Sequence, residues 1–148
     1  MTIRRQHGKR RGATAVETAF VLLPLFVFLF GILEYCWLLA NWNLLNNAAR
    51  EGCRFAIVNN TDPTLSTDVQ TTVNQYMAGA SSNFNAFTVS VSGTHQGVAT
   101  AVNNLAPGDL VVVSVSGQYR FLDIIPGVPM PATAPISSSV TMVCEGGT

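Results

Sequence analysis

Gly12, Ala13 and Glu17 are the residues whose types and spacing point to chemistry. Arg10-Arg11 precede the glycine, and a carboxylate follows it five positions later, where a long apolar run begins. Cleavage between Gly12 and Ala13 would create a new α-amino group on the same helix end as Glu17. In a low-dielectric setting that amine, or the amine of a neighbouring subunit, can neutralise the carboxylate. Without such a partner, Glu17 must reach the headgroups or stay protonated. The rest of the chain is poor in reactive constellations. His7 and His95 are the only histidines, and neither C-x-x-C nor H-x-x-x-H spacing occurs. Gly79, Gly93 and Gly97 do not form a phosphate loop. The expectation is a protein with no catalytic residues, no metal and no cofactor, acting by assembly and not as an enzyme. His95, in "SGTHQG", reads as a solvated turn residue.

The charges place the ends of the chain. Formal net charge is zero, yet five of the eight Lys/Arg fall in the first eleven residues: Arg4, Arg5, Lys9, Arg10 and Arg11. Beyond Tyr35 three basic residues face six acidic ones, and no basic face interleaved with aromatics remains, so nucleic acid is not an expected partner. A basic cluster before an apolar run stays on the cytoplasmic side of a membrane. The remainder, rich in Ser, Thr, Asn, Gly and Val, then lies outside, in a periplasm or at the cell exterior.

Thr18 to Leu33 is a run of 16 uncharged residues. At ~1.5 Å per residue this spans ~24 Å, short of a ~30 Å hydrocarbon core. Extension back to Ala13 reaches ~31 Å and takes Glu17 about one helical turn into the bilayer, where an unpaired carboxylate costs a few kcal/mol. Extension forward to Ala40 would instead immerse Glu34. Tyr35, Trp37 and Trp42 resemble an outer aromatic belt, which favours the first frame. The segment after Leu33, "EYCWLLANWN", lacks the small-x-small site of a secretory signal. Glu34 and Tyr35 are wrong for a lipoprotein site at Cys36, and Arg10-Arg11 lacks the apolar residues of a twin-arginine signal. Cleavage before the apolar run remains, at a site with the prepilin pattern.

"RRGATAVETAFVLLPLFVFLFGILEY" followed by "LLNNAAREGCRFA" closely resembles TadE-like proteins, pseudopilins or minor pilins of the tight-adherence (Tad) pilus system. The matching positions are Gly12, Ala15-Val16-Glu17, Pro24, Gly31-Ile32-Leu33-Glu34-Tyr35 and Asn47-Ala48-Ala49-Arg50-Glu51-Gly52-Cys53-Arg54. Thr18, Cys53 and Cys144 depart from the family pattern. The resemblance implies processing by a prepilin peptidase at Gly12, Ala13 and Glu17, with Glu17, Pro24 and Glu34 setting assembly register. It implies other Tad pseudopilins, the main pilin and the inner-membrane platform as partners. The implied location is the bacterial inner membrane, single pass, with the N-terminus in the cytoplasm. The alternative is an uncleaved single-pass anchor whose outer domain binds a ligand or the envelope.

The expected fold is α+β. A basic leader covers residues 1–12, a transmembrane helix 13–42 and a pilin-like domain 43–148. The helix continues to about Val58, with Leu45, Ala48, Ala49, Gly52, Cys53 and Ala56 as a small-residue stripe. That stripe packs either on the protein's own sheet or on another helix. Asp62 caps a second helix with Pro63 at its first position, Leu65, Val69, Val73, Tyr76 and Met77 form its apolar stripe, and Gly79 stops it. "FTVSVSG", "DLVVVSVSGQYRF" and "ISSSVTMVC" read as three strands of an antiparallel sheet packed on the helix stem. "IPGVPMPATAP" is a connector or a contact loop. Cys36 lies near the outer membrane face without a partner. Cys53 and Cys144 share the oxidising compartment, and a disulfide between them would tie the last strand to the stem.

Overall fold

The computed structural model describes residues 10–121 and 131–144. The basic cluster before residue 10 and most of the proline-rich connector lie outside them. The chain begins with one helix, α1, Arg10–Val58, 49 residues and ~74 Å long. It passes through Pro24 without a break, although proline supplies no N–H to the ladder. A second helix, α2, covers Leu65–Tyr76. Four strands follow: β1 Phe84–His95, β2 Val98–Thr100, β3 Leu110–Arg120 and β4 Thr133–Val143. They form one antiparallel sheet in the order β2-β1-β3-β4. The α+β expectation holds, with β2 as an unforeseen addition. At three residues, β2 is too short to show alternation.

Side-chain alternation explains the sheet. Along β3, Val111, Val113, Val115, Gly117 and Tyr119 are buried and the residues between them are not. β1 shows the same period, interrupted once. Its register with β3 shifts between Asn85 and Thr88, and Ala86 takes φ 53° there. The extra residue of this bulge returns Phe87 to the side of Phe84, and their rings lie 6.1 Å apart. Gln96 at φ 50° and Gly97 at φ 85° close the β1–β2 hairpin as a two-residue turn of the I′ kind.

The two helices meet at a glycine. A Cβ on Gly52 would come within 2.6 Å of Val73 Cγ2 on α2, so only hydrogen fits at that crossing. Leu65, Val69 and Val73 of α2 complete this part of the core. The helix starts later than the sequence implies. Asp62 accepts from the Thr64 amide at 2.9 Å, closing an Asx turn, and regular helix follows from Leu65. It ends at Tyr76, before Gly79, and its last turn continues into bonds from Ala80 and Ser81 to the Met77 carbonyl.

Candidate functional site

α1 carries two surfaces in succession. From Gly12 to Leu29 every side chain is exposed, and Phe20 and Phe28 are 83% and 70% accessible. The best window of this stretch has mean hydropathy 2.4, and none of it is buried within the protein. Burial begins at Glu34 and recurs, fully or in part, at Leu38, Asn41, Leu45, Ala48, Gly52, Ala56 and Asn60. These positions follow one another in steps of four or three, the spacing that keeps one helix face on a partner. The small-residue stripe from Leu45 to Ala56 therefore packs on the protein's own sheet and second helix.

The upper half of this face is apolar, and the lower half is polar but satisfied. Tyr119 donates its hydroxyl hydrogen to Glu34 Oε1 at 3.1 Å, and Glu34 is 7% exposed. Burial, then the hydrogen bond and charge of Glu34, push the Tyr119 hydroxyl well above its ordinary pKa. Asn83 Nδ2 donates to Asn41 Oδ1 at 3.0 Å, while Asn41 Nδ2 donates to the Trp37 carbonyl at 2.8 Å. Ser138 donates to Asn46. Pattern reading missed Glu34 and Asn41 as parts of the packed face because acids and amides interrupt an apolar stripe. Their four-and-three spacing with Leu38 and Leu45 is the signal that finds them.

These contacts also orient the sheet. Nineteen helical residues separate Glu34 from Cys53, ~28 Å, and eight strand residues separate Tyr119 from Val111, ~27 Å. Tyr119 bonds Glu34, and the Cys53 thiol faces the Val111 carbonyl at 3.5 Å. β3 therefore runs alongside α1 in the opposite direction. Its Tyr119 end, where Phe84 and Phe121 pack edge-on against the Tyr119 ring, lies nearest the exposed apolar half.

Glu17 sits in that exposed half, and among the described residues nothing bonds its carboxylate. One residue on, Thr18 donates back to the Thr14 carbonyl at 2.8 Å. A Cβ on Gly12 would meet nothing within 4 Å. Packing gives no reason for glycine there, and helix propensity argues against it by ~1 kcal/mol relative to alanine. Pro24 lies in the same half, and Glu34 sits at the opposite end of it, already engaged by Tyr119.

Cys53 and Cys144 are both buried, and both are free thiols. No disulfide joins them in this structure. Cys53 faces the Val111 and Val140 carbonyls, and burial raises its pKa. Cys144 accepts from Asn60 Nδ2 at 3.1 Å and faces the Ile57 carbonyl. Cys53 thus faces the sheet from α1, while Cys144, just after β4, packs against the end of α1 a turn further on. Cys36 is exposed. His95 is not a free turn residue. Its Nδ1 lies 2.6 Å from Asp109 Oδ1, and Asp109, 5% exposed, takes the Ala106 amide on its other oxygen at 2.7 Å. Among the described residues no group of three or more His, Cys, Asp or Glu side chains converges on a metal position.

Residues 12–54 match the family model described as TadE-like protein. Over that span the chain is similar to TadE-like proteins. No curated protein and no solved structure matches the chain. The matched segment opens on Gly12 and closes on Arg54, so it covers the exposed apolar half and the packed stem but not α2 or the sheet. The TadE-like segment thus includes Glu17, Pro24, Glu34 and Gly52, while the partners of Glu34 and Gly52 within the fold come from outside it.

Proposed function

We propose that this TadE-like protein is a pseudopilin of the Tad pilus system, held in the inner membrane by the first half of α1 and processed by a prepilin peptidase after Gly12. The observation that carries this reading is the change of surface at Glu34 within one unbroken helix. Twenty-one residues, Ala13 to Leu33, precede it, and their ~31 Å matches a hydrocarbon core. A span reaching forward to Ala40 would draw Tyr119 and the packed aromatic end of the sheet into lipid. The backward frame keeps them outside and leaves Glu17 inside, ~6 Å from Ala13 along the axis.

In that frame the basic leader stays in the cytoplasm and the sheet lies on the outer side. Cleavage after Gly12 supplies an amine at Ala13 that meets the charge of Glu17. An apolar helix leaves lipid only into a bundle of similar helices, and an unpaired carboxylate there is costly, so subunits settle where Glu17 meets an amine. Pro24 weakens the helix about two turns later by removing one backbone bond and gives the bundle a point of adjustment. The partners are other pseudopilins, the main pilin and the inner-membrane platform, and the protein acts by packing, with no catalytic step of its own. Intact-mass and N-terminal sequencing of protein from membranes tests the reading. A first residue at Ala13 is expected. A retained Arg4–Arg11 tail would overturn processing and leave an uncleaved anchor with an outer binding domain.

A further inference from the structure

β1 has an open side. Its neighbour β2 pairs only with Gly93, Thr94 and His95, so among the described residues no strand lies beside the edge of β1 away from β3 from Ala86 to Ser92. An unpaired strand edge presents backbone N–H and C=O groups at a regular spacing and serves as a template for another extended chain. Such edges are commonly guarded by charge, and here none of the residues from Phe84 to Thr94 is charged.

Beside this edge lies a crevice of about 270 Å³, lined by Gln70 and Asn74 of α2 and by Phe87, Thr88 and Val89 of β1. It is smaller than the ~300–1,000 Å³ of small-molecule pockets and lies open along the strand, so it suits a chain passing through rather than an enclosed ligand. Three features of its lining agree. The bulge at Ala86 turns Phe87 toward the helices, and Phe87 and Val89, half-buried against the core, supply the smaller apolar part of a mostly polar lining. Gln70 and Asn74 are both exposed and four residues apart, which places their amides ~6 Å apart along α2. That matches the ~6.6 Å two-residue repeat of a strand, so successive amides can meet successive outward-facing peptide units. Each side-chain amide carries both a donor and an acceptor, the pair that a peptide backbone answers.

We propose that the crevice between α2 and β1 binds an extended, uncharged peptide segment of another protein, which adds as a strand to the free edge of β1 below β2. Backbone pairing along Ala86–Ser92 supplies the affinity. Gln70 and Asn74 clamp the segment from the helix side, and Phe87 and Val89 accept one small apolar side chain. The lining is wholly uncharged, so a charged side chain entering it would lose water without gaining a counter-ion. This site is separate from the membrane half of α1 and does not depend on processing.

The test uses the isotopically labelled full chain in lipid nanodiscs and the blocked peptide acetyl-Ser-Val-Thr-Val-Ser-amide as probe. Backbone amide shifts at Thr88, Val89 and Ser90 are expected to move at millimolar peptide, and the same peptide N-methylated at alternate positions should leave them still. Replacing both amides, Gln70→Ala with Asn74→Ala, should weaken binding about tenfold or more, the loss of one or two hydrogen bonds. Both residues are exposed, so the variant keeps its fold. Absence of shifts, equal shifts from the methylated peptide, or binding indifferent to the two amide replacements would overturn the proposal. So would edge shifts that appear without peptide as the protein is concentrated, because a second copy would then be the occupant.

Discussion

The two halves of α1 are made of one continuous helix and face opposite solvents. Below Glu34 the helix is apolar on nearly every side, and from Gly12 to Leu29 its side chains are exposed. Above it, one face is fully buried at Leu45, Ala48, Ala49, Cys53 and Ala56, while Arg50, Glu51 and Arg54 stay in water. The difference shows what apolar side chains require in each setting. In water they need one partner face, and the sheet provides it. In lipid they need none until the helix leaves the membrane, and then they need other helices.

Substitutions that separate the halves test this contrast. The largest effect is expected at Glu17. Glu17→Ala should abolish pilus assembly while the protein still inserts in the membrane, and unchanged piliation counted by electron microscopy would remove its role in register. Next is a paired comparison. Leu45→Ala should lower unfolding stability in mild detergent by ~2–5 kcal/mol, because it empties a core site. Leu25→Ala, in the exposed half, should change it by less than ~0.5 kcal/mol. Equal losses would show that the lower half also packs within the monomer. Gly52→Ala should cost ~1–3 kcal/mol, because the new methyl must displace Val73.

The last effect lies at the junction and depends on pH. Tyr119 in the unfolded chain ionises near pH 10, while the buried hydroxyl beside Glu34 ionises higher. Above pH ~10 the unfolded state therefore binds fewer protons than the folded one, and stability falls as pH rises. Tyr119→Phe should remove that part of the alkaline slope and lower stability near neutral pH by ~1–3 kcal/mol, because Glu34 loses a buried donor. Urea titrations of both proteins at neutral and alkaline pH measure the two effects together.

Much of the helix and sheet was legible from residue pattern. The small stripe from Leu45 to Ala56 and the alternation from Val111 to Tyr119 each repeat for several periods, and both appear in the fold as read. β2 was not legible, because three residues carry no period. The placement of Phe87 beside Phe84 depended on a bulge at Ala86, an alanine with no sign of left-handed backbone in its type. The pairing of His95 with Asp109 joined the last residue of β1 to the residue just before β3, which only the β1–β3 register brings together. Cys53 and Cys144 shared a compartment, but packing turned Cys53 on α1 toward the Val111 and Val140 carbonyls and set Cys144, just after β4, against Ile57 and Asn60.

For the candidate site, the residue order alone determined that a carboxylate lies five positions after Gly12 at the start of an apolar run, since spacing and hydropathy are properties of the chain. Only the tertiary structure decided where that run ends. Glu34 has the same carboxyl group as Glu17, but Tyr119 reaches it from the helix-facing side of β3 and helps bury it at the foot of the domain. No local pattern records that contact, because the two residues stand 85 positions apart.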